Sequence, residues 1–187
     1  MSARALVAWL AAALLAGCAT IAVQPRAAEP FDLLGRVSAT HSGGVVTANV
    51  RWEHDAQRDE IWLMTPTGQT MARILDTPAG VVLTRADRQE HRARNVEALT
   101  RQALGWPLPL SNLQYWVRAL PAPAARPTAV EHDQAGRLVA FDQNGWRVAL
   151  TFHADGEHAG KVRRIDLRDG PNEIRFVVDT WRNTREP

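Results

Sequence analysis

The chain has 187 residues, with 22 basic against 20 acidic side chains, a formal net charge of +2 and 45% hydrophobic residues. That length and apolar content suit one domain with a substantial core. The charges alternate in sign without forming a basic stripe, which argues against nucleic acid as a partner, because phosphate binding needs clustered cations.

The first predicted element is a signal peptide over residues 1–17. Arg4 gives a positive start, and the apolar run Ala5–Leu15 is shorter than the ~20 residues a spanning helix needs. Leu15-Ala16-Gly17 then places small residues before Cys18, the only cysteine in the chain. A lone cysteine in an exported protein has no disulfide partner. This pattern resembles the bacterial lipobox, which implies cleavage before Cys18 and lipid attachment to its thiol. Ala19, where an aspartate would mark retention in the inner membrane, implies sorting to the outer membrane. Residues 18–30, rich in Ala and Pro and without periodicity, read as a tether to a β domain over residues 31–187.

From Phe31 onward short alternating runs predict strands at Leu34–Thr40, Val45–Trp52, Ile61–Thr65, Thr70–Leu75 and Gly80–Arg85. Ser42-Gly43-Gly44 and Pro66-Thr67-Gly68 punctuate them as turns. The arginine-rich run Arg85–Arg94, diluted by Asp87 and Glu90, reads as a solvated loop. Helical spacing of Val96, Leu99, Ala103 and Leu104 predicts a helix over Val96–Leu104, with Gly105 as its stop. Trp106–Leu110 is extended, because each proline disfavours helix in the residue before it. A second helix is expected over Ser111–Leu120, capped by Ser111, and Pro121–Pro127 is a connector. A second β series follows at Val130–His132, Leu138–Asp142, Trp146–His153, Val162–Arg168 and Glu173–Trp181, with reversals at Asn144-Gly145 and Asp169-Gly170. Strands, two helices, then strands favour an antiparallel meander curling around the helices.

Seven tryptophans against one tyrosine is an unusual ratio. Rigid indoles either fill a core or line a cavity. On the alternating strands and the helical insert, the candidates for lining a cavity for acyl chains are Trp52, Trp62, Met64, Trp116, Trp146, Val148, Leu150, Phe176 and Trp181. Trp62 and Met64 face opposite to Ile61 and Leu63, so that strand is apolar on both sides.

Five ordered pieces are similar to the LolB family of outer-membrane lipoprotein receptors. They are Gly35-Arg36-Val37, Trp52, Pro66-Thr67-Gly68, the run Leu104-Gly105-Trp106-Pro107-Leu108-Pro109-Leu110 with Leu113 and Trp116, and Gly145-Trp146 with Asp179-Thr180-Trp181. The resemblance implies a LolA/LolB-like fold: a mainly β, unclosed antiparallel barrel, capped by its helical insert, around a hydrophobic cavity. It further implies an outer-membrane protein on the periplasmic face, expected to be a monomer, that accepts acylated lipoproteins from a LolA-type carrier and inserts them into the inner leaflet, without cofactor or nucleotide. The family's exposed apolar residue in the Pro66-Thr67-Gly68 loop, which implies a membrane-delivery role, is here Thr67; Met64 and Met71 are the neighbouring candidates to substitute. The tether is also short, leaving no room for a helix before the first strand.

Enzymatic readings find little support. His41, His54, His91, His132, His153 and His158 show neither helical pairing nor zinc spacing, and the cluster His153, Asp155, Glu157 and His158 reads as a solvated hairpin loop, so no metal site is expected. No serine elbow or phosphate loop occurs, and a lipid-anchored hydrolase would lack a nucleophile with a base. The alternative is an accessory outer-membrane lipoprotein with a filled core that binds a protein partner.

Overall fold

The computed structural model describes residues 29–41, 44–104 and 107–182. The signal peptide, Cys18, the tether up to residue 28, Ser42, Gly43, Gly105 and Trp106 lie outside the described residues. Six strands come first: β1 (Phe31–His41), β2 (Gly44–His54), β3 (Asp59–Met64), β4 (Thr70–Thr77), β5 (Gly80–Arg85) and β6 (Glu90–Ala93). Helices α1 (Val96–Leu104) and α2 (Leu110–Trp116) follow, and β7 (Thr128–His132), β8 (Leu138–Gln143), β9 (Trp146–Phe152), β10 (Val162–Asp169) and β11 (Asn172–Arg182) complete the chain.

All the strands join one 11-stranded sheet in the order β6-β5-β4-β3-β2-β1-β11-β10-β9-β8-β7. Each neighbouring pair is antiparallel. Two meanders therefore meet where the last strand pairs with the first. The outer strands β6 and β7 do not pair with each other, so the barrel is unclosed.

The seam between β1 and β11 explains two of the sequence pieces. Leu34 lies opposite Thr180 but Gly35 opposite Val178, so Asp179 is the extra residue of a bulge. A Cβ on Gly35 would stand 2.2 Å from the Val177 carbonyl oxygen, which only glycine avoids. Arg36 then clasps the bulged residue, with Nε donating to Asp179 Oδ2 at 3.0 Å and Nη2 to Oδ1 at 2.8 Å. The bulge also re-phases β11, so that Ile174, Phe176, Val178 and Trp181 all turn inward and are buried.

The helices cover this inner face. Asn95 caps α1 by accepting the Ala98 N–H at 2.8 Å, and the helix buries Val96 and Leu99. In α2 Leu110, Leu113 and Trp116 are buried. Gln143 of β8 locks that helix and its connector to the sheet. Its Oε1 accepts from Trp116 Nε1 (2.7 Å) and the Ala122 N–H (2.9 Å), and its Nε2 donates to the carbonyls of Ala122 (2.9 Å) and Ala125 (2.6 Å). Every polar atom of a fully buried amide is thus satisfied. Edge-on aromatic contacts run through the rest of the core, from Trp181 to Phe31 (6.0 Å), Phe31 to Trp52 (5.0 Å) and Trp52 to Phe176 (6.4 Å).

Three elements differ from the sequence expectation. The second helix spans Leu110–Trp116 rather than Ser111–Leu120, because Ala119 turns left-handed (φ 56°) just before Pro121. Ser111 does not cap it: its hydroxyl donates instead to Glu97 of α1 at 2.6 Å. The run Arg85–Arg94 contains the edge strand β6, paired along one side with β5.

Candidate functional site

The inner face is filled unevenly. At one level Trp52, Ile61, Ile74 and Leu83 sit side by side across β2 to β5. Towards the end of the sheet that carries the β1–β2 and β3–β4 turns, the inward positions become small, with Ala39 on β1, Ala48 on β2 and Ala72 on β4. Replacing branched and aromatic side chains by methyl groups leaves a hollow of about 500 Å³, open to solvent on that side. The volume falls within the ~300–1,000 Å³ usual for pockets that hold small apolar ligands.

Val37, Leu63, Ile74 and Leu83 contribute aliphatic wall around the three alanines. Thr100 and Leu108 close the helical side. The Thr100 hydroxyl donates to the Val96 carbonyl (2.9 Å) and accepts the Leu108 N–H (2.8 Å), so this polar atom in the wall is spent internally. Arg85 and Asp87 mark the rim. The lining offers van der Waals contact and exclusion of water, which suits a hydrocarbon chain.

None of the nine residues expected to line a cavity borders this hollow. Trp52, Trp116, Trp146, Val148, Leu150 and Phe176 are on the covered side of the sheet but lie in solid core. Bulky groups fill space, and a hollow opens where they are missing. Trp181 borders a separate cleft of about 580 Å³ at the opposite end, with Phe31, Phe152 and Leu120, and its Nε1 donates to the Val162 carbonyl at 3.0 Å. Trp62 and Met64 require correction. Trp62 pairs with Arg51 and Arg73 on the outer face, where the two guanidiniums sit 5.1 and 6.0 Å from its ring centroid. Met64, opposite Asn49, shares that outward parity. The signal that would have found the wall of this hollow is the set of alanines at inward positions, together with Leu63 on the face opposite Trp62.

The loop Pro66-Thr67-Gly68 sits at the same open end and is exposed. Thr65 O accepts the Gly68 N–H at 2.9 Å, Thr65 N–H returns to Gln69 O at 2.9 Å, and Gly68 takes φ 85°, the left-handed position a three-residue hairpin loop reserves for glycine. The Thr67 and Thr65 hydroxyls lie 2.8 Å apart, so the tip is polar and self-bonded.

A titratable group lies below the hollow. Asp59 Oδ1 accepts from Trp52 Nε1 (2.6 Å) and meets His54 Nδ1 at 2.8 Å. Asp76, its cross-strand neighbour, has its pKa raised to about 6 by burial, with the charges of Asp59 and Glu97 adding to the effect. His153 and His158 stack edge-on in the 153–161 loop, and His158 Nε2 accepts the Trp181 N–H at 3.3 Å. Among the described residues no group of three His, Cys, Asp or Glu side chains is placed to hold a metal ion.

An unclosed antiparallel sheet covered on its inner face by two helices, with an apolar hollow open at one end and no clustered ligands among its described residues, defines the class as helix-capped open β-barrels. The solved structure of a LolA superfamily protein from Nitrosomonas europaea shares this fold, with a TM-score of 0.51 over 86% of this chain and 88% of that one, at only 8% identity. The model of the family "Outer membrane lipoprotein LolB" matches residues 29–181. The outer-membrane lipoprotein LolB of Chromobacterium violaceum is 39% identical over 177 residues, covering 91% of this chain and 94% of that protein. Its counterpart in Thiobacillus denitrificans is 36% identical over 176 residues, covering 90% and 92%. The chain belongs to the LolB family of lipid-anchored outer-membrane lipoproteins.

Proposed function

We propose that this protein takes the acyl chains of lipoproteins from a periplasmic carrier of the LolA type into the hollow beneath α1, and releases them into the inner leaflet of the outer membrane. The observation that carries this reading is the 500 Å³ cavity walled by Val37, Leu63, Ile74 and Leu83 around Ala39, Ala48 and Ala72, open at one end.

Energetics give the step its direction without catalysis or nucleotide. Each methylene withdrawn from water is worth about 0.8 kcal/mol. A hollow open on one side shelters part of an acylated terminus, whereas a bilayer shelters every chain along its length. Cargo therefore descends from cavity to membrane, provided the mouth and the leaflet meet. The competing reading, an accessory lipoprotein with a filled interior, is disfavoured by that same open hollow.

The test is passage of an acylated lipoprotein from a purified carrier to the full-length, lipidated protein in liposomes. Cargo is expected to leave the carrier and appear in the bilayer with no nucleotide present. If a folded receptor leaves the cargo on its carrier, the proposal fails.

A further inference from the structure

The rim of the hollow carries an unusual strand end. Beyond Asn49, the β2 residues Gly44–Ala48 pair with β1 alone, since the ladder to β3 begins at Asn49. This overhang stands past the end of β3 and is apolar on both faces, with Val45 (65% exposed) outward and Val46 (48% exposed) inward. Met71, 39% exposed, stands on the same mouth, tied to the neighbouring loop by the Ala86 N–H donating to its carbonyl at 3.0 Å. A free strand edge with greasy faces on both sides is a hazard in water and is normally blunted by charge or covered.

Beside it stand Arg85, the last residue of β5, and Arg88, on the turn that follows. Neither forms an ion pair among the described residues, and with Asp87 between them, which accepts the Gln89 N–H at 3.0 Å, the group carries a net charge of +1. Exposed aliphatic side chains flanked by uncommitted cations match a phospholipid surface, with hydrocarbon below and anionic headgroups around it. A bilayer is within reach. The sequence from Cys18 to Glu29 spans at most about 40 Å, and the 11 residues of β1 cover about 37 Å, so an anchor leaving near Glu29 lets the far end of the sheet touch the membrane.

We infer that the rim of the cavity mouth, formed by Val45 and Val46 of the β2 overhang and Met71 of β4 with Arg85 and Arg88 as headgroup contacts, is the surface that seats the cavity mouth on the bilayer, in place of the polar Pro66-Thr67-Gly68 tip. The inference rests on the cavity being the acyl site, and it assigns the partner of that site's rim.

The test uses the full acylated chain in vesicles of phosphatidylethanolamine with a minority of phosphatidylglycerol. Since Cys18 is the only native cysteine and is blocked by lipid, Val45→Cys supplies a single thiol for an environment-sensitive fluorophore. Nitroxide-labelled lipids should quench it strongly, and should quench the same probe at Leu120→Cys, by the opposite cleft, only weakly. Val45 is outward and outside the cavity wall, so Val45→Asp should leave cargo uptake from the carrier intact yet slow delivery to the bilayer about tenfold, the order expected for withdrawing one half-buried valine and adding a charge. Quenching at Leu120→Cys but not at Val45→Cys, protection at Val45→Cys that appears only with carrier, or unchanged delivery by Val45→Asp would each overturn the inference. Loss of uptake by the parent protein would instead strike the cavity assignment.

Discussion

Filling the hollow is the sharpest perturbation available. Ala48 is 3% exposed, faces inward beside Val37 and borders the cavity without being part of the solid core beneath it. Ala48→Phe projects a ring into existing empty space. The ring's extra buried surface, on the order of 100 Å², is worth about 2–3 kcal/mol, and strain from imperfect fit takes back about 1–3 kcal/mol. Net stability should therefore fall between a loss of about 1 kcal/mol and a gain of about 2 kcal/mol. Cargo binding should suffer far more. A phenyl group displaces about four methylenes of the bound chain, roughly 3 kcal/mol, or about two orders of magnitude in affinity. The assay is titration with a fluorescent fatty-acyl probe, run beside urea unfolding of the same sample. Leu150→Ala is the contrast, since Leu150 is buried but does not border the hollow. It should cost about 2–5 kcal/mol of stability and leave the affinity of the folded fraction near parental. If Ala48→Phe binds the probe as the parent does, the acyl chain lies elsewhere and the reasoning fails.

Three further outcomes follow from particular residues. Gln143→Leu strips four hydrogen bonds from the α2–sheet joint and leaves the Trp116 and Ala122 N–H groups buried without acceptors, so denaturant unfolding should show a loss of about 2–4 kcal/mol. Asp76 has a folded-state pKa of about 6 against the ordinary 3.8, so its proton is held more tightly in the native state and stability falls as pH rises through that interval. With half of the group open to solvent screening, the penalty above about pH 6 is on the order of 1 kcal/mol. Asp76→Asn should recover it at about pH 8 and change little at about pH 2.5, below both pKa values, where the group is protonated in either state; equal gains at the two pH values would refute the assignment. Thr67→Leu, which adds an apolar tip beside the cavity mouth, should deliver cargo to liposomes at the parental rate or faster, and a marked loss would show that the polar loop tip is needed.

Much of the fold was legible because it is written in periodicity. The α1 helix occupies the very span that Val96, Leu99, Ala103 and Leu104 mark out, and the β9 alternation of Trp146, Val148 and Leu150 is the burial pattern observed. Edges and ends were less legible. β6 hides in an arginine-rich run because an edge strand pairs along one side only, and α2 stops early because Ala119 adopts a left-handed backbone that no side-chain pattern announces. The cavity was least legible. Large aromatic residues draw attention, and they proved to be the packed floor and core. The hollow is made by Ala39, Ala48 and Ala72, whose contribution is absent volume, and it becomes visible only once register brings them onto one face. Trp62 shows the same lesson from the other side: parity alone placed it opposite Leu63, and the arginines above and below it account for its exposure to the outer face.

Fatty tails are expected to lodge in the alanine-lined hollow. This is tested most directly by loading the full-length protein with a lipoprotein whose acyl chains carry a photoactivatable diazirine, irradiating, and mapping the adducts by mass spectrometry. Adducts are expected on Ala48, Leu63, Ala72 and Leu83, which line the hollow. Adducts confined to the Trp181 cleft, or spread over the outer face around Trp62, would contradict that placement.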